Sequence, residues 1–394
     1  MAALASRVVS TPTVAARPRL RLAVAAGAAA LAAAMGVGRF VFTPIIPVMG
    51  AEVGLSTADA GLLASVNYVG YLVGCLLAAA PVVRRHRGAV LTAGLALTVA
   101  TLAAMPLTTS PVVWSGARFV SGVASAFAFV TAADLVLTLL RRHRRDDLAG
   151  WVFGGVGAGI ALSGAVTPLA AAIGGWTATW YLAAVLALAL AVPALRLARL
   201  PVDPDDEGVG AGPPPRVLLL VALGVAYFLE GAGYIITGTF LVDVATGIGP
   251  AWVAASSWTI AGLAGVPSCV VWARIAARRG RGPTLLAALG IQAVGLALPA
   301  LVASPAAVVV SAVVFGGTFV AIVMLTLPLA RALAGRGAGP VVAVFSAVYA
   351  LGQAVGPVSV ALLDGDDARP ALALGGALVV AAALVAIPAA RAAR

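Results

Sequence analysis

Four charged residues stand within apolar runs of this chain: Arg39, Arg118, Glu230 and, near the end of its run, Asp134. A guanidinium keeps its proton at any ordinary pH, so Arg39 and Arg118 can supply only fixed positive charge. A carboxyl group can change state, which makes Glu230 the candidate proton carrier. Two fixed charges and an ionised Glu230 sum to +1; with the carboxyl neutral they sum to +2. Such a set attracts an anion, more strongly once the carboxyl is neutral. Simpler roles are also open: the arginines could brace helices or snorkel to an interface, and Glu230 could rest in a static salt bridge. What surrounds these residues decides their chemistry.

The surroundings are apolar. Of 394 residues, 62% are hydrophobic and 10% charged, and the mean hydropathy is +1.08. A soluble domain with this composition could not cover its surface with polar groups. The apolar runs are long and continuous, not short and alternating, which predicts an all-α integral membrane protein and no barrel. All 25 basic residues are arginine, and they sit in short loops between the runs. Despite a net charge of +11, that is the pattern of membrane topology and not of a nucleic-acid surface. Cys75 and Cys269 fall in apolar runs and His86 and His143 in basic loops, so no metal site is expected and no cofactor.

Runs long enough to span a bilayer cover 22–49, 57–83, 88–107, 111–140, 148–172 and 176–198, then 216–243, 250–275, 283–303, 305–331, 338–363 and 370–390. These are twelve helices in two sets of six. They divide the chain into a tail (1–21), a first bundle (22–198), a Pro- and Gly-rich linker (199–215) and a second bundle (216–390). If the chain crosses at every run, 22 of the 25 arginines fall on one face and only Arg369 on the other. The positive-inside rule then places both termini and the linker in the cytoplasm. Reading the first run as a removed signal peptide would invert that asymmetry.

The halves repeat at an offset of 194 to 195 residues. RRHRGAVL (84–91) matches RRGRGPTL (278–285); Gly36 and Gly38 fall on Gly231 and Gly233, Gly122 on Gly317, and Arg39 on Tyr234. Parallel repeats of this kind place a binding site between the halves near the midplane. Over its whole length the chain resembles the major facilitator superfamily. GVGRFVFTPIIPVM with GLSTADAGLLASVNYVGYLVG (54–74) is similar to the opening of the superfamily's YbfB/YjiJ group of uncharacterised transporters. RFVSGVASA (118–126) fits the fourth-helix pattern. GQAVGP (352–357) resembles the Gly-Pro pattern of exporters but sits in the eleventh helix, not the fifth, where GGVGAGIALSGAVTP has no such pair. The loop after the second helix keeps its arginines and lacks the aspartate of the superfamily pattern.

The resemblance implies a secondary active transporter in the cytoplasmic membrane. It would move a small organic molecule by alternating access, as a monomer in lipid, with a proton gradient as the coupling ion and efflux among its directions. It also implies that helices 1, 4, 7 and 10 line a central cavity. At 1.5 Å per residue, Arg39 lies about 25 Å along the first helix, Arg118 about 10 Å into the fourth, and Glu230 about 21 Å beyond Arg216, within one broad layer. Small and polar neighbours share their faces: Gly36 and Thr43; Ser121, Gly122 and Ser125; Tyr227, Gly233, Tyr234 and Thr237. Asn67, Tyr68, Tyr71, Trp258, Ser346, Tyr349 and Gln353 complete the expected lining, each equally able to serve as an interhelical hydrogen bond. Asp134 is expected to pair with Arg84, Arg85 or Arg87 as a cytoplasmic gate. An anionic or carboxylate-bearing substrate would pair with Arg39 or Arg118, giving symport where proton and substrate reinforce each other and antiport where they compete. A transport-like sensor and a membrane subunit of a multi-component pump are the alternatives; the chain has no GxxxxGK[ST] loop and no constellation suited to an enzyme.

Overall fold

The computed structural model describes residues 16–199, 213–335, 338–362 and 368–392. The expected tail lies mostly outside these residues, as does most of the linker. The described residues form helices and connecting turns. The first bundle comprises α1 (Leu20–Val53), α2 (Thr57–Ala78), α3 (Arg87–Leu107) and α4 (Pro111–Arg142), followed by the run Ala149–Ala194. That run is two helices. Gly174 and Gly175 break it, and Gly175 takes φ +60° and ψ −152°, a conformation open only to glycine, leaving α5 (149–173) and α6 (176–194). The Glu52 carboxylate at the end of α1 accepts a hydrogen bond from the Trp176 N–H at 3.0 Å, capping α6 where its first amides have no helical partner. The second bundle comprises α7 (Val217–Thr246), α8 (Ala251–Arg279), α9 (Arg281–Leu301), α10 (Pro305–Ala334), α11 (Ala338–Val358) and α12 (Arg369–Arg391). Among the described residues eleven helical runs are long and apolar enough to cross a bilayer, and dividing the one that holds Gly174 and Gly175 makes twelve helices. Ser56 and Ser304 cap α2 and α10, accepting from Asp59 N–H at 3.1 Å and Ala307 N–H at 3.2 Å.

Contacts between helix ends fix how the chain crosses. On the arginine-bearing face, the Arg216 N–H bonds to the Leu333 carbonyl and its guanidinium to the Ala392 carbonyl, joining the start of α7 to the ends of α10 and α12. On the opposite face Glu52 meets Trp176, and the Trp114 indole donates to the Met105 carbonyl at 2.9 Å. Large apolar side chains such as Val112, Ile173 and Leu218 point outward, as a lipid-facing surface requires.

Packing inside each half relies on close backbone approach. A Cβ on Gly122 would lie 2.0 Å from the Asn67 carbonyl oxygen, and one on Gly316 would lie 1.8 Å from that of Ala261. Asn67 and Ala261 are separated by the same interval as Gly122 and Gly316, so the α2–α4 crossing is reproduced as α8–α10. Gly122 therefore corresponds to Gly316 and not to the expected Gly317, whose Cβ would meet no neighbouring helix within 4 Å.

Among the described residues three helix pairs make the most extensive contacts between the halves: α1 with α7, α2 with α11, and α5 with α8. The α5–α8 pair is close along much of its length, through Gly150 against Val270, Gly157 against Gly265 and Gly164 against Thr259. At α1–α7 the Thr43 hydroxyl donates to the Gly238 carbonyl. Thr43 and Gly238 are repeat equivalents, so their contact marks the place where the pseudo-symmetry axis passes through the protein.

Candidate functional site

Arg39 sits where α1 is not a regular helix. A π-helical stretch, Ala32–Val37, leads into turns at 38–41 before the α-helix resumes at Phe42. Pro44 accounts for the break: it has no N–H to offer the Phe40 carbonyl and its ring crowds that group, which accepts instead from Thr43 N–H at 3.3 Å. Upstream, Gly38 and Phe40 reach back five residues, to the Ala33 and Met35 carbonyls. The Gly38 carbonyl turns to Ser121 of α4 at 3.3 Å.

The side chain of Arg39 is 1% exposed, so it does not snorkel. Its Nη2 donates to Gln353 Oε1 of α11, and the Gln353 amide donates to the Tyr234 hydroxyl of α7 at 2.5 Å. The guanidinium lies over Tyr71 at 4.0 Å and Tyr68 at 4.5 Å, an aromatic cage that stabilises a desolvated cation. The two repeat equivalents, Arg39 and Tyr234, thus meet through Gln353 across the seam.

Around this link the seam is closed by rings. Phe40 packs edge-on against Trp258 of α8 and Phe319 of α10; Trp258 stacks on Phe315, and Tyr234 stacks on Phe315, Phe319 and Tyr349. Tyr227 stacks on Tyr349 at 4.2 Å between ring centres. Where sequence reasoning expects an open cavity, this conformation has a buried aromatic layer.

Arg118 and Glu230 lie away from the seam, each inside its own bundle. Arg118 lies between α1, α3, α4 and α6, over the Phe42 ring at 4.6 Å and beside Thr101, Met105 and Trp180. Tyr68 and Arg39 are within its electrostatic reach. Asn67 does not meet it by side chain; its amide donates to the Arg118 backbone carbonyl at 2.8 Å. Glu230 lies inside the second bundle, beside a small cavity bounded by Leu223, Tyr227, Leu285, Leu289 and Thr326. Its polar neighbours are Gln292 of α9 and Tyr349 of α11. Neither carboxylate oxygen is within full hydrogen-bonding geometry of a partner, and no ion pair joins Glu230 to either arginine among the described residues. The expectation that the arginines hold Glu230 ionised by direct pairing is not met in this conformation. Gln292 was missed from the sequence: an uncharged amide in an apolar run gives no charge signal, though a lone Gln there is itself a polar outlier.

At the arginine-bearing face Asp134 pairs with Arg87 at 2.7 Å. Arg85 is exposed and outside this pair, and the Arg84 side chain lies outside the described residues. The pair ties α3 to α4 within one bundle, so it is not itself a contact between the halves. Among the described residues no group of His, Cys, Asp and Glu is placed to hold a metal.

Two parallel bundles of six helices, joined by a seam with buried charge on either side, define a membrane transporter of the major facilitator type. The comparisons narrow this class. A profile described as "Uncharacterised MFS-type transporter YbfB" matches residues 31–387, and the chain belongs to that family. A chloramphenicol resistance protein of Streptomyces lividans is 27% identical over 375 residues, covering 90% of this chain and 93% of that protein. Crystal structures of the nucleoside transporter NupG and of a point mutant of it each superpose with a TM-score of 0.70 at 14% identity. They cover 93% of this chain and 98% and 99% of theirs, and at that identity the likeness is one of fold.

Proposed function

We propose that this transporter moves a small organic molecule by alternating access, coupled to protons through Glu230, with its arginine-bearing face in the cytoplasm. The observation that carries the reading is the Arg39–Gln353–Tyr234 link. Parting the halves at this level breaks it and bares a guanidinium that holds only a neutral amide as partner. A substrate carboxylate would take the place of the Gln353 amide oxygen and make the stronger, charge-assisted and bidentate contact. In this reading Gln353 stands in for the substrate when the site is empty and keeps a buried cation from being left unpaired. The rings of Tyr68, Tyr71, Trp258 and Tyr349, buried in this conformation and bared by the same parting, would cover the apolar body of the same molecule.

Glu230 then acts at one remove, through Tyr349 and Tyr234. A neutral Glu230 favours an anion at Arg39, so proton and anion reinforce each other, whereas a cation would compete with the proton. Reinforcement gives symport, in which an inward proton gradient drives uptake of the anion; export, the direction suggested by the name of the Streptomyces relative, would need a substrate that competes with the proton. The test is accumulation in proteoliposomes under an imposed pH gradient, with chloramphenicol, a nucleoside and an aromatic carboxylate as probes. Wild type should accumulate at least one of them, and Glu230→Gln should retain exchange while losing the response to the gradient. Gradient-driven accumulation by Glu230→Gln would remove Glu230 as the carrier. Labelling of cysteines placed at Ser110 and Gly280 from the same side of intact cells would overturn the orientation.

A further inference from the structure

Inside the second bundle, five buried side-chain atoms from three neighbouring residues fall short of full hydrogen-bonding geometry: both carboxylate oxygens of Glu230, with the amide oxygen and nitrogen of Gln292 and the Tyr349 hydroxyl within reach of the carboxyl. Glu230 and Gln292 are 1% and 0% exposed, and Tyr349 is 7% exposed. Unpaired polar atoms in such a place are costly unless something satisfies them. Beside Glu230 lies a cavity with room for about one water molecule. It is bounded by α7, α9, α10 and α12 alone. Leu223 lies seven residues before Glu230, toward the start of α7, and Leu285, Thr326 and Ala386 stand near the ends of α9, α10 and α12 on the same face. The cavity thus lies on the arginine-bearing side of the carboxyl, in the core of one bundle and away from the seam.

We propose that Glu230 exchanges its proton with the arginine-bearing face through this bundle core, by way of one water held in the cavity, with Gln292 and Tyr349 positioning the carboxyl. The proton and the substrate then use separate paths: the substrate needs the seam to open, and the proton does not. The titratable groups facing Glu230 are Tyr227 and Tyr234 from its own helix and Tyr349 from α11. The cavity-lining residues of α9, α10 and α12 carry none. The fixed charge of Arg39 stands beyond Gln353 and Tyr234. This inference rests on Glu230 being the proton carrier, and the test separates the two ideas without a substrate.

The experiment is infrared spectroscopy of the purified protein in lipid, following the carboxyl C=O band that is present in wild type and absent in Glu230→Gln. The band should titrate with pH, shift on transfer to D2O, and ignore NaCl added in place of choline chloride. Ala386→Leu, which fills the cavity, should slow the D2O shift on the order of tenfold, about 1.4 kcal/mol on the opening step. The isosteric Thr326→Val, which removes a hydroxyl from the wall without adding bulk, should slow it less. Gln292→Leu and Tyr349→Phe should move the band to higher frequency as the carboxyl loses its partners. If no such band titrates in wild type, Glu230 is not a proton carrier and the earlier reading falls. If it titrates but exchanges at the wild-type rate in both folded cavity variants, the bundle-core route is wrong. An unmoved frequency in Gln292→Leu and Tyr349→Phe would end their positioning role, and loss of the band on adding NaCl would make this a sodium site.

Discussion

Helices α1 and α7 are repeat equivalents with the same Gly-x-Gly step, Gly36 and Gly38 against Gly231 and Gly233, yet one is broken and the other is not. The difference traces to two positions. Pro44 and Pro47 of α1 correspond to Thr239 and Val242 of α7. A proline removes a donor and crowds the carbonyl four residues back, so α1 unwinds around Arg39. In α7 the ladder runs through, and the Thr239 hydroxyl folds onto the Ile235 carbonyl at 2.8 Å. The fixed charge therefore sits on the helix with a joint and the titratable charge on the helix without one. A group that must let go of its partner gains from a backbone that can flex. A group that must keep its surroundings while gaining and losing a proton gains from one that cannot.

The comparison can be broken most severely by exporting the joint. Thr239→Pro puts the α1 pattern into α7 and should lower stability by about 3 kcal/mol, read as a large fall in melting temperature of the detergent-solubilised protein. Little change would show that α7 already tolerates a break. Next in size is Gly36→Ala, whose Cβ would lie 2.5 Å from the Gly159 Cα; Gly231→Ala meets the Tyr349 carbonyl oxygen at 2.8 Å. The first should cost about 2–3 kcal/mol and the second roughly 1, and equal costs would mean the two contacts are equally strained. The Arg39–Gln353 link should show as a coupling of about 1–2 kcal/mol in a cycle of Arg39→Lys, Gln353→Leu and the double variant; additive effects would reduce it to an accidental contact. Smallest is Thr43→Val, which removes one hydrogen bond across the axis and should cost about 1 kcal/mol. An unchanged melting temperature would show that the bond contributes nothing net.

Much of this was legible in the sequence. Span number, the two-bundle plan and the division between 172 and 176 follow from apolar run length and glycine placement. The relation of Arg39 to Tyr234 followed from the repeat. An expected depth could be counted, because each helical residue advances the chain by a fixed rise. Azimuth could not: nothing in the order of residues says whether Arg118 turns toward the seam or into its own bundle, since interhelical packing decides that rotation. For the same reason the neighbour of Glu230 proved to be Gln292 of α9, in its own bundle, and not an arginine of the first bundle. The π-helical stretch before Arg39 was hidden too, although the Pro44 that accounts for the break was in plain view.

Trp258 gives the closed seam an optical signature. Its indole is 0% exposed, stacked on Phe315 and set edge-on to Phe40 from the other half, with Nε1 unpartnered. Four of the other tryptophans lie away from that layer: Trp114, Trp176 and Trp180 inside the first bundle, and Trp252 outward-facing near the start of α8. When the halves separate, Phe40 leaves and the indole meets a wetter, more polar surrounding, so its emission should move to longer wavelength while the others hold theirs. The difference between wild type and Trp258→Phe would then isolate a single chromophore at the parting line. It would turn the transport cycle into something that can be watched in real time with unlabelled protein, before any substrate has been identified.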